Sequence, residues 1–165
     1  MSKLTFNEAR ATDIPLIADI LKDATERKLQ HGDTVWGSEG WTDEEIQGTM
    51  SESTVYIVRE GEHTAGTVSL QWDDERSWGE QLPVAGYIHR LAIKHEYVGQ
   101  GLGEIIIDWA AARAREHDRY LLRLDCENSN NQLCAYYEKL GFIKVGIQAI
   151  SEFGDYVAAL YEKHI

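Results

Sequence analysis

Cysteine and proline are nearly missing from this chain, and so is any long apolar run. The only cysteines are Cys126 and Cys134. Two thiols at that spacing build neither a disulfide framework nor a zinc-ligand set, so both are expected to be reduced and structural. The only prolines are Pro15 and Pro83, and no repeat, low-complexity tract or linker composition interrupts the chain, so a single domain over residues 1–165 is expected. The apolar runs fall far short of a membrane span. The N-terminal MSKLTFNEARATD has no apolar signal core, which points to the cytoplasm. Positive charge is scarce too: 16 Lys and Arg stand against 28 Asp and Glu, for a formal net charge of -12. General nucleic-acid binding depends on Lys and Arg neutralising phosphates. Nucleic acid and anionic membrane are therefore poor partners, and a cationic ligand suits the chain better.

What is present reads as a soluble α/β domain. Of the chain, 43% is hydrophobic and 27% charged, and 165 residues suffice for a full core. Strands are expected at Thr5–Ala9, Thr54–Arg59, Thr64–Trp72, Val84–Lys94, Tyr120–Cys126, Phe142–Ile150 and Tyr156–Tyr161. Helical spacing marks Ile14, Ile17, Ala18 and Leu21 after a cap at Thr12 or Asp13, with Pro15 in the first turn. A second helix starts at Thr42 or Asp43. Leu102, Ile105, Ile106, Trp109 and Ala110 make a third, and Leu133, Tyr136, Tyr137 and Leu140 a fourth, closed by Gly141. Asp73 to Pro83 reads as polar and irregular. The central strand–helix–strand unit requires a right-handed crossover between parallel neighbours, and the hairpins around it are antiparallel. The sheet is therefore mixed.

The stretch Val98-Gly-Gln-Gly-Leu-Gly103 ends one apolar strand and opens a helix. A helix N-terminus carries unpaired N–H groups and about half a positive charge, and glycines let a phosphate approach closely. A Walker loop needs GxxxxGK[ST], which fails here. Gly99 and Gly101 fit the start of a dinucleotide fingerprint, but Glu104 stands where Gly or Ala is required. Spacing alone leaves two readings open: a phosphate cradle, or a tight turn that holds no ligand.

With Leu91-Ala92-Ile93 ahead of that stretch, and Asn130-NQLCAYYEKLGF-Phe142 behind it, the chain resembles the GNAT superfamily of acetyl-CoA-dependent N-acetyltransferases over nearly its whole length. The family's usual Gln or Arg is replaced by Val98. The resemblance implies a single-domain, mostly antiparallel twisted sheet of about seven strands with a splayed parallel pair at its centre, flanked by about four helices. It implies acyltransferase activity of the EC 2.3.1 class. Acetyl passes from acetyl-CoA, a co-substrate, to a primary amine by direct attack in a ternary complex, with no metal. The acceptor is a small molecule or a peptide amine. A homodimer is common in the family. The competing reading from another class is an acyl-CoA-binding sensor or accessory protein without turnover.

Carried over residue by residue, the resemblance implies that Leu91, Ala92 and Ile93 pair with the pantetheine arm. Val98, Gly99, Gln100, Gly101, Leu102 and Gly103 hold the pyrophosphate through backbone N–H groups. Asn130 either touches the cofactor arm or simply caps a helix. Tyr137 is the implied acid for the leaving thiolate; its bland alternative is a core tyrosine. His89 is the candidate base, since imidazole titrates near neutrality, although some members of the family use only water chains. Strand alternation puts Tyr87, His89 and Leu91 on one face, making Tyr87 a substrate candidate. Two aromatic and acidic clusters, Trp36 to Glu44 and Trp72 to Trp78, could hold a cationic amine or simply pack and solvate. Trp36 and Trp41 are the substrate-side candidates.

Overall fold

Residues 3–165 are described by a computed structural model. Seven strands form one sheet in the order β1-β2-β3-β4-β5-β7-β6. They are β1 (Leu4–Glu8), β2 (Thr54–Glu60), β3 (His63–Gln71), β4 (Ala85–Ile93), β5 (Leu121–Glu127), β6 (Ile143–Ala149) and β7 (Val157–His164). The helices are α1 (Ile14–Gln30), α2 (Asp43–Glu52), α3 (Glu75–Trp78), α4 (Leu102–Glu116) and α5 (Asn131–Lys139). The expected order of elements holds, with one addition. The stretch read as irregular contains α3, a single turn nucleated where the Asp74 carboxylate accepts the Ser77 N–H at 3.2 Å.

The chain divides into two compact units, residues 1–70 with 90–106, and residues 71–89 with 107–165. In the first, β1, β2 and the following strand β3 pair antiparallel. A 3₁₀ turn, Ala11–Asp13, leads into α1, and here Asp13 accepts the Arg10 N–H at 2.8 Å instead of capping the helix itself. The α1 stripe Ile14, Ile17, Ile20, Leu21 and Ala24 is buried with Ile46 of α2, Val55 and Ile57 of β2, and Ala92. That spacing is the 3.6-residue period of an amphipathic helix. Thr42 and Glu45 cap α2 reciprocally, Thr42 Oγ1 accepting from Glu45 N–H at 3.2 Å and Glu45 accepting from Thr42 N–H at 2.7 Å.

In the second unit β5 pairs antiparallel with β7, and β7 with β6. The parallel register joins Ala85, Gly86 and Tyr87 to Leu121, Leu122 and Arg123. Past Tyr87↔Arg123 that register ends, while β5 runs on to Glu127 against β7. Gly86 is required where it stands: a Cβ there would lie 3.2 Å from both Ala114 and Trp72 side-chain atoms. Gly141 ends α5 in the left-handed region at φ +89°, as its position predicts. Among the described residues no helix is long and apolar enough to cross a membrane.

Candidate active site

In the first unit, the end of β4 is tied to α1 before the glycine turn begins. Arg27 Nη2 donates to the Ile93 carbonyl at 2.7 Å, His95 N–H donates to Asp23 at 2.8 Å, and Lys94 pairs with Asp19 at 3.1 Å. A 3₁₀ turn, His95–Tyr97, follows. Gly99 (φ +79°) and Gly101 (φ +77°) then take the left-handed conformation that a Cβ disfavours, and α4 starts at Leu102. The first helical bond runs from Ile105 N–H to the Gly101 carbonyl. Among the described residues, the N–H groups of Gly99 to Glu104 have no protein acceptor. A Cβ at Gly99 or Gly101 would meet nothing within 4 Å, so the space beside them is open. Gln100 turns its side chain back to the Glu96 carbonyl at 2.6 Å, and Val98 is 50% exposed. This is a row of donors suited to an anion.

Arg90 has φ +48°, so the regular alternation expected to carry His89 and Leu91 to one face is interrupted at the residue between them. Within the first unit the Arg90 guanidinium lies 4.9 Å from the Trp41 ring centre, Lys28 lies 5.0 Å from that of Trp36, and the two indoles meet edge-on at 5.9 Å. Both tryptophans are half-buried against the core. Protein cations already occupy ring faces that a cationic substrate would use. Leu91 and Ile93 are half-buried and Ala92 is buried.

The second unit brings together residues far apart in sequence. His89 Nε2 lies 3.0 Å from Asp74 Oδ2, and His89 Nδ1 lies 3.9 Å from Asp125 Oδ1. The other oxygen of Asp125 accepts the Tyr156 hydroxyl at 2.7 Å. Burial would raise the Asp74 carboxyl, but the adjacent His89 ring, with the Ser77 N–H, holds it below the usual range. Burial, then the Asp125 carboxylate, pushes the Tyr156 phenol up. Asp74, His89 and Asp125 each offer an atom within 4.8 Å of the others, a spacing that could also serve a divalent cation.

Tyr87 shares its face with His89, as alternation predicts: Tyr87 meets Arg123, and His89 faces Asp125. Tyr87 itself is 2% exposed, accepts from Arg123 Nη1 at 2.9 Å, and packs edge-on to Trp78 at 6.0 Å. It is built into the interior of this unit. The second aromatic cluster packs likewise: Trp72 stacks on His117 at 4.0 Å, and Trp78 lies under Arg123 at 4.7 Å.

On α5, Tyr137 is partly buried among Tyr136, Phe142 and Tyr161. Its hydroxyl has no protein hydrogen-bond partner among the described residues. Burial, with the neighbouring Cys126, Tyr136 and Asp125 groups in support, raises this phenol well above its ordinary value. Asn130 caps α5, accepting the Leu133 N–H at 3.0 Å. Cys126 and Cys134 are buried and form no disulfide, their sulfurs 3.8 Å apart.

Sequence reasoning placed Asp74 only within a general acidic cluster, and it passed over Asp125 and Tyr156. Asp125 lies two residues beyond Arg123 on β5, so the alternation that pairs Tyr87 with Arg123 would have found it once the strand register was known.

Residues 17–142 match the acetyltransferase (GNAT) family. The chain is 27% identical over 145 residues to YesJ, an uncharacterized N-acetyltransferase of Bacillus subtilis (strain 168), covering 83% of this chain and 80% of that one. A GNAT-family acetyltransferase from Listeria monocytogenes 4b F2365 shares the fold at TM-score 0.79, with 24% identity, over 99% of this chain and 96% of that one. A GNAT-family acetyltransferase from Elizabethkingia anophelis, solved with acetyl-CoA bound, superposes at TM-score 0.71 with 17% identity over 100% of both chains.

Proposed function

The chain belongs to the acetyltransferase (GNAT) family, and from that premise we propose that it is a cytoplasmic N-acetyltransferase, one domain over residues 1–165, that moves acetyl from acetyl-CoA to a primary amine in a ternary complex. The observation that carries this reading is the row of N–H groups from Gly99 to Glu104, without protein acceptors and opened by two left-handed glycines. A diphosphate needs such donors, and backbone supplies them whatever the side chain at Val98. Bound acetyl-CoA in the Elizabethkingia relative, and coenzyme A in the aminoglycoside acetyltransferase AAC(6')-Ib, support the choice of co-substrate.

The chemistry assigned to the chain's own residues is modest. Leu91 and Ile93 offer backbone groups to the pantetheine arm, and Asn130 lies at the start of α5, which carries Tyr137. The acceptor must arrive as, or become, a neutral amine before it attacks the thioester carbonyl. His89 is the base for that step. A backbone N–H near Ile93 steadies the oxyanion. Tyr137 offers its hydroxyl to the departing sulfur. Even at ordinary values, a phenol near about 10 and a thiol near about 8.5 make complete proton transfer uphill by roughly 2 kcal/mol, and burial raises Tyr137 further. Tyr137 therefore acts chiefly as a hydrogen-bond donor, lowering the charge on sulfur as the bond breaks. Trp36 and Trp41 remain the acceptor-side candidates only where an acceptor displaces Lys28 and Arg90 from their rings.

The test is direct. Protein, acetyl-CoA and a panel of primary amines are mixed, and free thiol is followed. Amine-dependent thiol release supports the assignment. Binding of acetyl-CoA by calorimetry without release from any amine would sink it.

A further inference from the structure

We propose that Cys126 and Cys134 are a reversible thiol–disulfide site: a small disulfide such as oxidised glutathione joins them, and the shift of α5 that follows lowers turnover by moving Tyr137. Formation of the bond is independent of the acetyl-transfer reading. Its effect on turnover rests on that reading.

The two sulfurs lie 3.8 Å apart. A disulfide bond is about 2.05 Å long, so closure needs a movement of about 1.8 Å. Cys126 stands opposite Ala159 in the unbroken ladder of β5 with β7, and that ladder holds it in place. Cys134 stands near the start of α5, a helix of 9 residues. A helix this short is marginal by itself. Its start is held by the Asn130 side chain, which accepts the Leu133 N–H at 3.0 Å. The Cys134 thiol also lies 3.9 Å from the Glu127 carbonyl. The start of α5 is therefore the part that moves. The two cysteines are 6% and 9% exposed, so a reagent reaches them when this turn opens locally. Disulfides in a reducing compartment are transient and catalytic or redox-sensing, and this pair fits that class.

The bond account closes. With the turn open, the Cys134 thiol gives its proton to solvent and the thiolate attacks one sulfur of oxidised glutathione. An S–S bond forms to Cys134, the glutathione S–S bond breaks, and the leaving thiolate takes up a proton. The Cys126 thiolate then attacks Sγ of Cys134, the mixed disulfide breaks, and a second glutathione leaves. The protein loses two electrons and two protons, and one oxidised glutathione becomes two reduced ones. Excess reduced glutathione runs the same steps backwards. Tyr137 stands three residues after Cys134, on the same side of α5. Both thiols are near enough to influence its phenol. Its ring packs on Phe142 at 5.8 Å and on Tyr161 at 6.2 Å, and the Tyr161 hydroxyl donates to Glu138 of α5 at 2.8 Å. Drawing the start of α5 toward β5 shifts the helix against that packing and moves the Tyr137 hydroxyl. A displacement of about 1 Å at a reacting group can cost about 100-fold in rate.

The full chain is incubated with oxidised glutathione, blocked with iodoacetamide and digested with trypsin. Cleavage after Arg123 and Lys139 releases both cysteines in one peptide, Leu124–Lys139. That peptide should appear unalkylated and lighter by two hydrogens, with no glutathione attached. Once the reagent is removed, kcat of the oxidised protein should be about 10- to 100-fold below that of the reduced one, and dithiothreitol should restore it. Cys134→Ala should keep the kcat of the reduced wild type within a few-fold and lose its sensitivity to oxidised glutathione. Should that variant fold poorly, the wild-type peptide mass and the recovery with dithiothreitol still decide. Thiols that stay reduced until the protein is unfolded, a peptide that carries glutathione without an internal bond, or an oxidised pair with unchanged kcat would overturn the switch. So would equal inactivation of Cys134→Ala, because the damage would then lie elsewhere. Absence of thiol release from any amine by the reduced protein would instead strike the acetyl-transfer reading, and the peptide mass would still judge the cysteine pair.

Discussion

Burial acts on Tyr137 and on Asp74 in the same direction, and their neighbours decide the outcomes. The Tyr137 phenol is raised by burial with nearby negative charge in support, so it keeps its proton through any neutral assay. Tyr137→Phe removes that donor without removing the ring. The expected result is a fall in kcat of about 100-fold or more with acetyl-CoA affinity within a few-fold of wild type, read by steady-state kinetics beside calorimetry. Equal losses in both would assign Tyr137 to packing. Burial would raise Asp74 too, but His89 and the Ser77 N–H together outweigh it, so the folded carboxyl titrates below the unfolded one. A group lowered on folding stabilises above its unfolded value, about 3.9, and loses that stabilisation as pH falls through the folded value. Asp74→Asn should therefore lower Tm more at about pH 7 than at about pH 3. Thermal unfolding at the two pH values checks it, and an equal deficit at both would remove the charge from the explanation.

At the scale of elements, two glycines make opposite demands. Gly101 is left-handed at φ +77° with nothing within 4 Å of a built Cβ. Gly101→Ala should cost about 1–2 kcal/mol of stability from backbone strain and weaken acetyl-CoA binding, because the donor row it opens would shift. Gly66 is different: a Cβ there would come within 2.5 Å of the Ala92 carbonyl oxygen. Gly66→Ala should destabilise by about 3 kcal/mol through overpacking, measured by denaturant unfolding. A Gly101→Ala protein with undiminished acetyl-CoA affinity would refute the cradle. The glycine turn was legible in the chain because three glycines ahead of a helical period are a local signal. Gly66 carried no such signal, since its constraint comes from a residue far along the chain.

Across the whole molecule the formal charge of -12 biases encounter toward cations. Salt shortens the screening length from about 10 Å at 0.1 M to about 3 Å at 1 M. KM for a diamine such as putrescine should then rise several-fold between those concentrations, with kcat nearly unchanged. A KM indifferent to salt would place recognition in short-range contacts alone.

Periodicity and turn chemistry were enough, without coordinates, to read the order of strands and helices, because those depend on neighbours within a few residues. The α2 cap at Thr42, the left-handed Gly141 and the helix opening after Gly101 are all of this kind. The GNAT resemblance was legible from two motifs for the same reason. What the chain alone did not reveal are meetings between distant residues. Arg27 holds the Ile93 carbonyl, Arg123 encloses Tyr87, and Asp74, Asp125 and Tyr156 gather around His89. Such meetings depend on strand register and on which face each side chain takes. A left-handed Arg90 in the middle of a strand shows how one tertiary demand defeats an alternation rule. Local backbone preference therefore determined the elements, and long-range packing decided the chemistry of the residues they carry.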